Sequence, residues 1–519
     1  MFRKKEFLTI IGLFIFSIIV RLVISAFYPV GSDSVLYLKL AERISQGFLS
    51  LNEFKKVHEF IQPGYSFFIY LFNLVINNWE IAALAVSIIS GVFLVLLTYL
   101  LAKRLFNSTT AVIAGILMCL HPMALYFSTS VLTESLFTAL LISVIYLSWL
   151  ALVRKKSVFF FILIGFLIGL AYYVRIVGLA ALPVVVLWIL LFGFLIEKRK
   201  LKYLLFSIML LCLGVLAVVS PYLIYLYQQK GEFVITGAQN TAEYVKSEFG
   251  ADKMETRLQK HQIFSSLDET GSDFKINEVN ETAKKSTGDL LSIYWKNFWG
   301  CITDNIIKFL GYFFIFSFTC IYILIRKRSR QATISFFYLL SWIPFYLIIY
   351  YQGRPDLRYY FPVLPLMIII IASLFSSIFS HKFNKLTRIF GLASLILFFL
   401  IIEMFINRKF PLVPLSIFKE SNFHKAGIVI KENFGANQKI LSEYPAVTYY
   451  SEGIHYPLPV DDYSSVTQFA RYQNVDLLLL IKQEHSTRPN MDLLYNVTEN
   501  DDWKLVISAG SLYLFQLKK

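Results

Sequence analysis

Five charged residues stand at the edges of long apolar runs: Asp33, Glu134, Arg175, Arg354 and Arg358. Ionisable groups at a membrane boundary are costly to keep there, which makes each a candidate for chemistry. Asp33 lies in "GSDSVLYLKLA", just after the apolar run 7–27. Either it caps the helix that Val35, Leu36, Leu38 and Leu40 announce, or its carboxylate works as a general base at the surface. Glu134, in "STSVLTESLF", has a similar pair of readings: Thr133 or Ser130 caps a helix whose positive end favours the carboxylate, or Glu134 takes part in the chemistry. Arg175, in "GLAYYVRIVGLAALP", either anchors the helix end by snorkelling or meets a ligand. Arg354 and Arg358 share the proline-punctuated turn "YQGRPDLRYYFPVLP". Three guanidiniums at one surface suit a phosphate, which arginine grips with two parallel hydrogen bonds. Lys55, Lys56 and His58, just before "QPGYSFF", either extend such a site or are ordinary solvated charges.

These groups need elements to hold them. The chain is 57% hydrophobic and 16% charged, with a mean hydropathy of +0.61, which places it among polytopic membrane proteins rather than soluble ones. The net charge of +15 does not indicate nucleic acid, because the basic residues sit in short clusters between apolar runs. Four cysteines without ligand-like spacing imply neither a disulfide framework nor a zinc site. Membrane spans are expected near 7–27, 80–102, 109–127, 133–153, 158–174, 178–196, 203–227, 305–325, 332–351, 360–380 and 387–406. Arg21 interrupts the first run and no small-x-small site follows it, so that run reads as an uncleaved anchor. The stretch 62–77 is short and begins with Pro63-Gly64. If it does not cross, the N-terminal cluster Arg3 to Lys5, Lys103-Arg104, Arg154 to Lys156, Lys198 to Lys202, Arg326 to Arg330 and Lys382 to Arg388 all face the cytoplasm, as the positive-inside rule demands. Eleven spans then put the N-terminus inside, in a cytoplasmic membrane, and all five charged candidates outside. The inner connectors carry no G-x-x-x-x-G-K sequence for a nucleotide.

The expected organisation is a transmembrane domain, 1–410, with outer loops at 28–78 and 229–304, and a small extracytoplasmic α/β domain, 411–519. In that tail, helical patterns ("FHKAGIVIKENFG", "SVTQFARYQN") alternate with strand-like runs ("KILSE", "VDLLLLIK"), and "WKLVISAGSLYLFQL" reads as a hairpin turning at Ala509-Gly510-Ser511.

Four groups of motifs together resemble a known family. "GSDSVLYLKLA" resembles its acidic first-loop motif, in which Asp is followed by Tyr and Ala on a helix. "QPGYSFFIYLF" resembles its Pro-led juxtamembrane helix. "LLAKRLFNSTTAVIAGILMCLHPMALYFSTSVLTESLF" resembles its basic turn, Pro-ended span and second acidic residue, and "GLAYYVRIVGLAALP" and "LRYYFPVLPLM" its arginine segments. The family is the GT-C superfamily of polyprenyl-phosphate-sugar-dependent glycosyltransferases. Within it the likeness is to the branch of the dolichyl-phosphate-mannose protein mannosyltransferases and the bacterial aminoarabinose transferase of lipid A. The chain departs from it at Ser34, where the family often has a second acidic residue, and at Glu134, where the aminoarabinose enzymes often have Asp.

The resemblance implies a polytopic all-α GT-C-like fold and an inverting sugar transfer at the outer face. The donor would be a sugar on a polyprenyl phosphate, the acceptor a lipid, glycan or protein, and membrane lipids the other partners. Asp33 would be the base and Glu134 would orient it or the acceptor. Arg175, Arg358, Arg354 and Lys56 would hold the donor phosphate, and Tyr37, His58 and Gln62 would position substrate. It implies no certain cofactor and leaves a divalent cation open. The alternative is a lipid-linked-sugar transporter or flippase that uses the same charges without catalysis.

Overall fold

The computed structural model describes residues 4–25, 31–46, 61–153, 158–231, 233–235, 334, 337–339, 341–342, 358, 361–378, 391, 394, 417–442, 444–458, 463–481, 501–509 and 512–518. Among them, five helices are long and apolar enough to cross a membrane. They are α1 (Lys4–Ser25), α4 (Trp79–Leu105), α7 (Glu134–Val153), the run Ile176–Phe194 containing α9 (Ala181–Leu190), and α10 (Leu201–Lys230). The expected spans 305–325, 332–351 and 387–406 lie wholly or mostly outside the described residues, as does most of the loop 229–304.

The expected spans 158–174 and 360–380 appear as shorter apolar helices, Phe160–Val174 and Phe361–Ser376. Two further elements differ from a simple span, each for a local reason. The run 109–127 is a pair of helices, α5 (Ser108–Leu120) and α6 (Pro122–Thr129), bent by 57°. Pro122 has no N–H to continue α5. His121 adopts an extended conformation and its Nδ1 accepts the Met123 N–H at 3.2 Å, capping α6. The stretch 62–77 forms α3 (Gly64–Ile76), 13 residues or about 20 Å of helix, too short for a hydrocarbon core of roughly 30 Å. It stops because Asn77 turns into the left-handed region at φ 52°. Asn78 then caps α4 by accepting the Ile81 N–H at 3.0 Å. One face of α3 is buried (Tyr65, Ser66, Ile69) while Phe67, Leu71, Leu74 and Val75 are exposed.

The helices pack closely where side chains are absent. In α8 (Phe160–Val174), Gly165 lies against Gly214 of α10, and a Cβ on either would run into the carbonyl of Leu211 or Ile162. The main apolar core runs through these helices and includes α2 (Ser32–Gln46) and α11 (Leu364–Ile378).

The tail folds as the alternation suggests. Helices α12 (Ile417–Phe434), α13 (Pro445–Tyr450) and α14 (Tyr463–Tyr472) accompany β1 (Lys439–Ser442), β2 (Ile454–Pro457), β3 (Leu477–Ile481), β4 (Trp503–Ala509) and β5 (Leu512–Leu517). The sheet order is β2-β1-β3-β5-β4. The first three strands are parallel, and β4 and β5 form the expected antiparallel hairpin, with Ala509 opposite Leu512. The short β2 and α13 carry too few residues for a periodic signal and were not foreseen.

The glycine contact gives a direct test. Gly165→Val should lower the stability of the detergent-solubilised protein by about 1–3 kcal/mol, the usual cost of overpacking. Gly12→Ala, with open space around its would-be Cβ, should not. Thermal unfolding of the two variants beside the parent is the measurement.

Candidate active site

Asp33 sits in the first turn of α2, but it is not the residue that closes the helix end. Ser34 does that: its Oγ accepts the Gly31 N–H at 3.2 Å, while Gly31 O accepts the N–H groups of Ser34 and Val35. The Asp33 carboxylate instead turns to Arg358, whose Nη1 lies 3.0 Å from Oδ2. Its side chain remains 61% exposed, so it is reachable from solvent. Arg358 comes just before a 3-10 turn, Phe361–Val363, that leads into α11. That turn is wholly buried, and the Phe361 ring packs 4.9 Å from that of Phe127 on α6. An apolar anchor thus holds the arginine segment to the bundle.

The second pair is of another kind. Glu134 opens α7 and Arg175 ends α8, so each charge lies at the helix end whose dipole it favours. Arg175 Nη1 donates to Glu134 Oε1 at 2.7 Å and to Thr133 Oγ1 at 3.3 Å, and Thr133 Oγ1 donates to Glu134 Oε2 at 3.4 Å. Ser130, the other capping candidate for α7, donates back to Tyr126 O within its own helical turn. Arg175 is held by a tight 3-10 turn, Ile176–Ala180, in which Gly178 N donates to Arg175 O at 2.8 Å. Gly178 packs on the backbone of Ala171 and Tyr172 with no room for a Cβ.

Tyr37 links the two pairs. One helical turn after Asp33 on α2, it lies among Asp33, Glu134 and Arg175 and meets the Thr133 hydroxyl. Burial, with the Glu134 carboxylate next, pushes its phenol well above the ordinary tyrosine range, against the opposing pull of Arg175. Tyr37 therefore stays a neutral hydroxyl and can orient a proton or a substrate oxygen, not act as a base.

The Pro-led stretch explains itself as the support for Tyr37. Tyr65 of α3 meets the Tyr37 ring edge-on at 5.2 Å and shares a 2.7 Å hydrogen bond with Ser87 of α4. Ser66 Oγ donates to the Tyr37 carbonyl at 3.0 Å. Gly64 brings α3 against the end of α8, where a Cβ would lie 2.6 Å from the Tyr173 carbonyl carbon. Any side chain at position 64 would separate α3 from the turn that carries Arg175.

Of the residues singled out in the sequence, the structure thus gathers Asp33, Tyr37, Glu134, Arg175 and Arg358. Gln62 is half-buried immediately before α3. Lys56, His58 and Arg354 lie outside the described residues. Thr133, Tyr65 and Ser66 were not recognised as parts of the site. Their signal was available only in part, because Tyr65 and Ser66 sit in the quoted Pro-led motif while Thr133 looks like any helix cap. Among the described residues no group of three or more His, Cys, Asp or Glu is placed to hold a metal ion.

Comparison with known proteins bears on the fold. Residues 62–225 match the family described as dolichyl-phosphate-mannose-protein mannosyltransferase. In structure the chain is similar to ArnT from Cupriavidus metallidurans bound to undecaprenyl phosphate, with a TM-score of 0.57, 12% identity and 97% of each chain covered. It is also similar to the Archaeoglobus fulgidus oligosaccharyltransferase tethered with an acceptor peptide, with a TM-score of 0.57, 12% identity, and 98% of this chain and 74% of that one covered. The fold is that of the GT-C glycosyltransferases. No curated protein sequence matches the chain. The family match spans the GT-C elements α3 to α10, and so includes Glu134 and Arg175 but leaves out Asp33 and Arg358.

The two ion pairs differ in energy. Glu134 is almost fully buried, its side chain only 3% exposed, so removing one partner strands a charge at a cost of about 3–5 kcal/mol. Arg175→Met alone should lower stability by about that much. Adding Glu134→Gln should recover most of the loss, and a double-mutant cycle on thermal or denaturant unfolding would measure the coupling.

Proposed function

We propose that the protein transfers a sugar from a polyprenyl-phosphate donor to an acceptor hydroxyl at the outer face of a cytoplasmic membrane, with inversion at the anomeric carbon. The observation that carries this reading is the position of Asp33. It is a solvent-reachable carboxylate at the start of a juxtamembrane helix, paired with an arginine 325 residues away in the chain. The carboxylate of that pair is exposed and the guanidinium partly so, which makes the pair worth about 1 kcal/mol. A lipid phosphate, with more charge and more acceptor oxygens than a carboxylate, competes for Arg358 on favourable terms. Binding of the donor would then supply Arg358 with its phosphate and leave Asp33 free for the acceptor.

In the reaction Asp33 takes the proton of the acceptor hydroxyl as its oxygen attacks the anomeric carbon. The bond from that carbon to the phosphate oxygen breaks, and the electron pair leaves with the polyprenyl phosphate. A phosphate leaving group requires positive charge rather than a general acid, and Arg358 and Arg175 supply it. Glu134, buried and committed to Arg175, holds that arginine in place instead of accepting a proton. Tyr37 orients the acceptor or the Asp33 carboxylate. The relatives support the donor class: the ArnT structure holds undecaprenyl phosphate, and an archaeal oligosaccharyltransferase AglB structure, similar with a TM-score of 0.51 and 13% identity, holds dolichol phosphate. The outer placement rests on the positive-inside rule, which puts the α/β tail outside as well.

The test is sugar transfer by protein reconstituted in lipid, with a panel of polyprenyl-phosphate sugars. Asp33→Asn should lower turnover by about 10² to 10⁴-fold, the range of a general base, while undecaprenyl phosphate still binds. Arg358→Ala should weaken that binding by roughly tenfold or more, as loss of a charged hydrogen bond implies. Full transfer by Asp33→Asn would overturn the base assignment. Donor binding without any transfer in the parent protein would instead favour a carrier of lipid-linked sugars.

A further inference from the structure

The helix that carries Asp33 has a second neighbour that the reaction does not explain. Helix α13 of the α/β domain packs directly on α2. Ala446 of α13 is 1% exposed inside the main apolar core of the membrane helices, and Tyr449 and Tyr450 pack against that core. Around this contact lies a polar junction. Tyr449, half-buried, lies beside the carboxylates of Glu80, in the first turn of α4, and Glu42 of α2. His424 of α12 faces Glu80, and its ring meets the edge of Tyr450 at 4.3 Å. Gly427 of α12 sits on Tyr450 so closely that a Cβ would lie 2.8 Å from the Val447 carbonyl, which ties α12 and α13 into one unit.

We infer that this junction seats the α/β domain on the catalytic helix, and that Tyr449 and Glu80 are positioning residues that hold α2, and with it Asp33, in place. The physical need is plain. The described part of α2 ends at Gln46, and among the described residues the polar contacts of its first turn are the Gly31–Ser34 cap and the Asp33–Arg358 pair, with Val35 in the apolar core. On one side α3 supports it through Ser66 and Tyr65. Further support comes from α4 and from α13. Burial, then the Glu80 and Glu42 carboxylates, push the Tyr449 phenol above the ordinary tyrosine range, so a neutral hydroxyl faces those carboxylates. Lys39 and Arg43, on α2 beside Glu42, offset the charge of that carboxylate. A domain with no residue among the charged site groups would thus determine how firmly the base is presented.

This inference rests on Asp33 being the base, but its test does not require sugar transfer. Hydrogen exchange by mass spectrometry on the full chain in lipid nanodiscs would compare the parent with Tyr449→Phe, Glu80→Gln and, as a control on an exposed face, Tyr472→Phe. Tyr449→Phe and Glu80→Gln should speed exchange of the α2 amides by up to about tenfold as the junction of α13 with α2 and α4 loosens, with β1 and β3 unchanged as evidence that the domain stays folded. In the transfer assay both should lower kcat while leaving the affinity for undecaprenyl phosphate unchanged. Unaltered α2 exchange in both variants would overturn the proposal. Faster α2 exchange with no transfer even by the parent would uphold the seating and count against the transferase reading alone.

Discussion

The buried pair of Glu134 and Arg175 is the interaction on which the rest of the site depends. A carboxylate 3% exposed within an apolar bundle is tolerable only beside a guanidinium that donates directly to it. Because Glu134 begins α7 and Arg175 ends α8, that requirement brings two helix termini together and defines one end of the bundle as polar. Both charges also lie where the helix dipoles favour them, so local and tertiary preferences agree. Everything else in the site is arranged around this fixed point: Tyr37 leans on it, and α2 and α3 are placed by Tyr37 and its partners.

Against this rigid pair stands a soft one. Asp33 and Arg358 form the same kind of bond at 3.0 Å, yet in an exposed setting where water and salt compete. Rigidity and exchangeability are thus divided between two chemically similar ion pairs by burial alone. That division suits a site in which one arginine must stay put and another must change partner. The close approach of backbones at Gly64 serves the rigid half, since a Cβ there would meet the backbone of Tyr173 next to the turn that carries Arg175.

The α/β domain enters this arrangement from the side. Its sheet is self-contained, with its own apolar clusters on both faces, yet α13 places Ala446 in the core of the membrane helices. A domain that was merely tethered would keep a polar outer surface at that point. The mixture of small apolar, aromatic and carboxylate groups found there is that of an interface with a defined orientation.

Much of this was legible in the chain. Apolar length, basic clusters and proline-led breaks told of membrane helices and of a short helix at 62–77. In the tail, the repeat of helical and alternating patterns announced β1, β3, the hairpin and two helices, because these signals are local and repeat within a few residues. The candidate charges Asp33, Glu134, Arg175 and Arg358 stood out by type and setting. What the residues by themselves left open was which arginine meets which carboxylate, since that depends on helix ends separated by 41 and 325 residues in the chain. Whether Asp33 or Ser34 secures α2 was equally undecided, because both residue types cap helices and only the backbone geometry at Gly31 selects Ser34. The tertiary structure alone made Tyr37 the common neighbour of both pairs and set α13 on α2, for contacts between distant segments leave no periodic trace in either one.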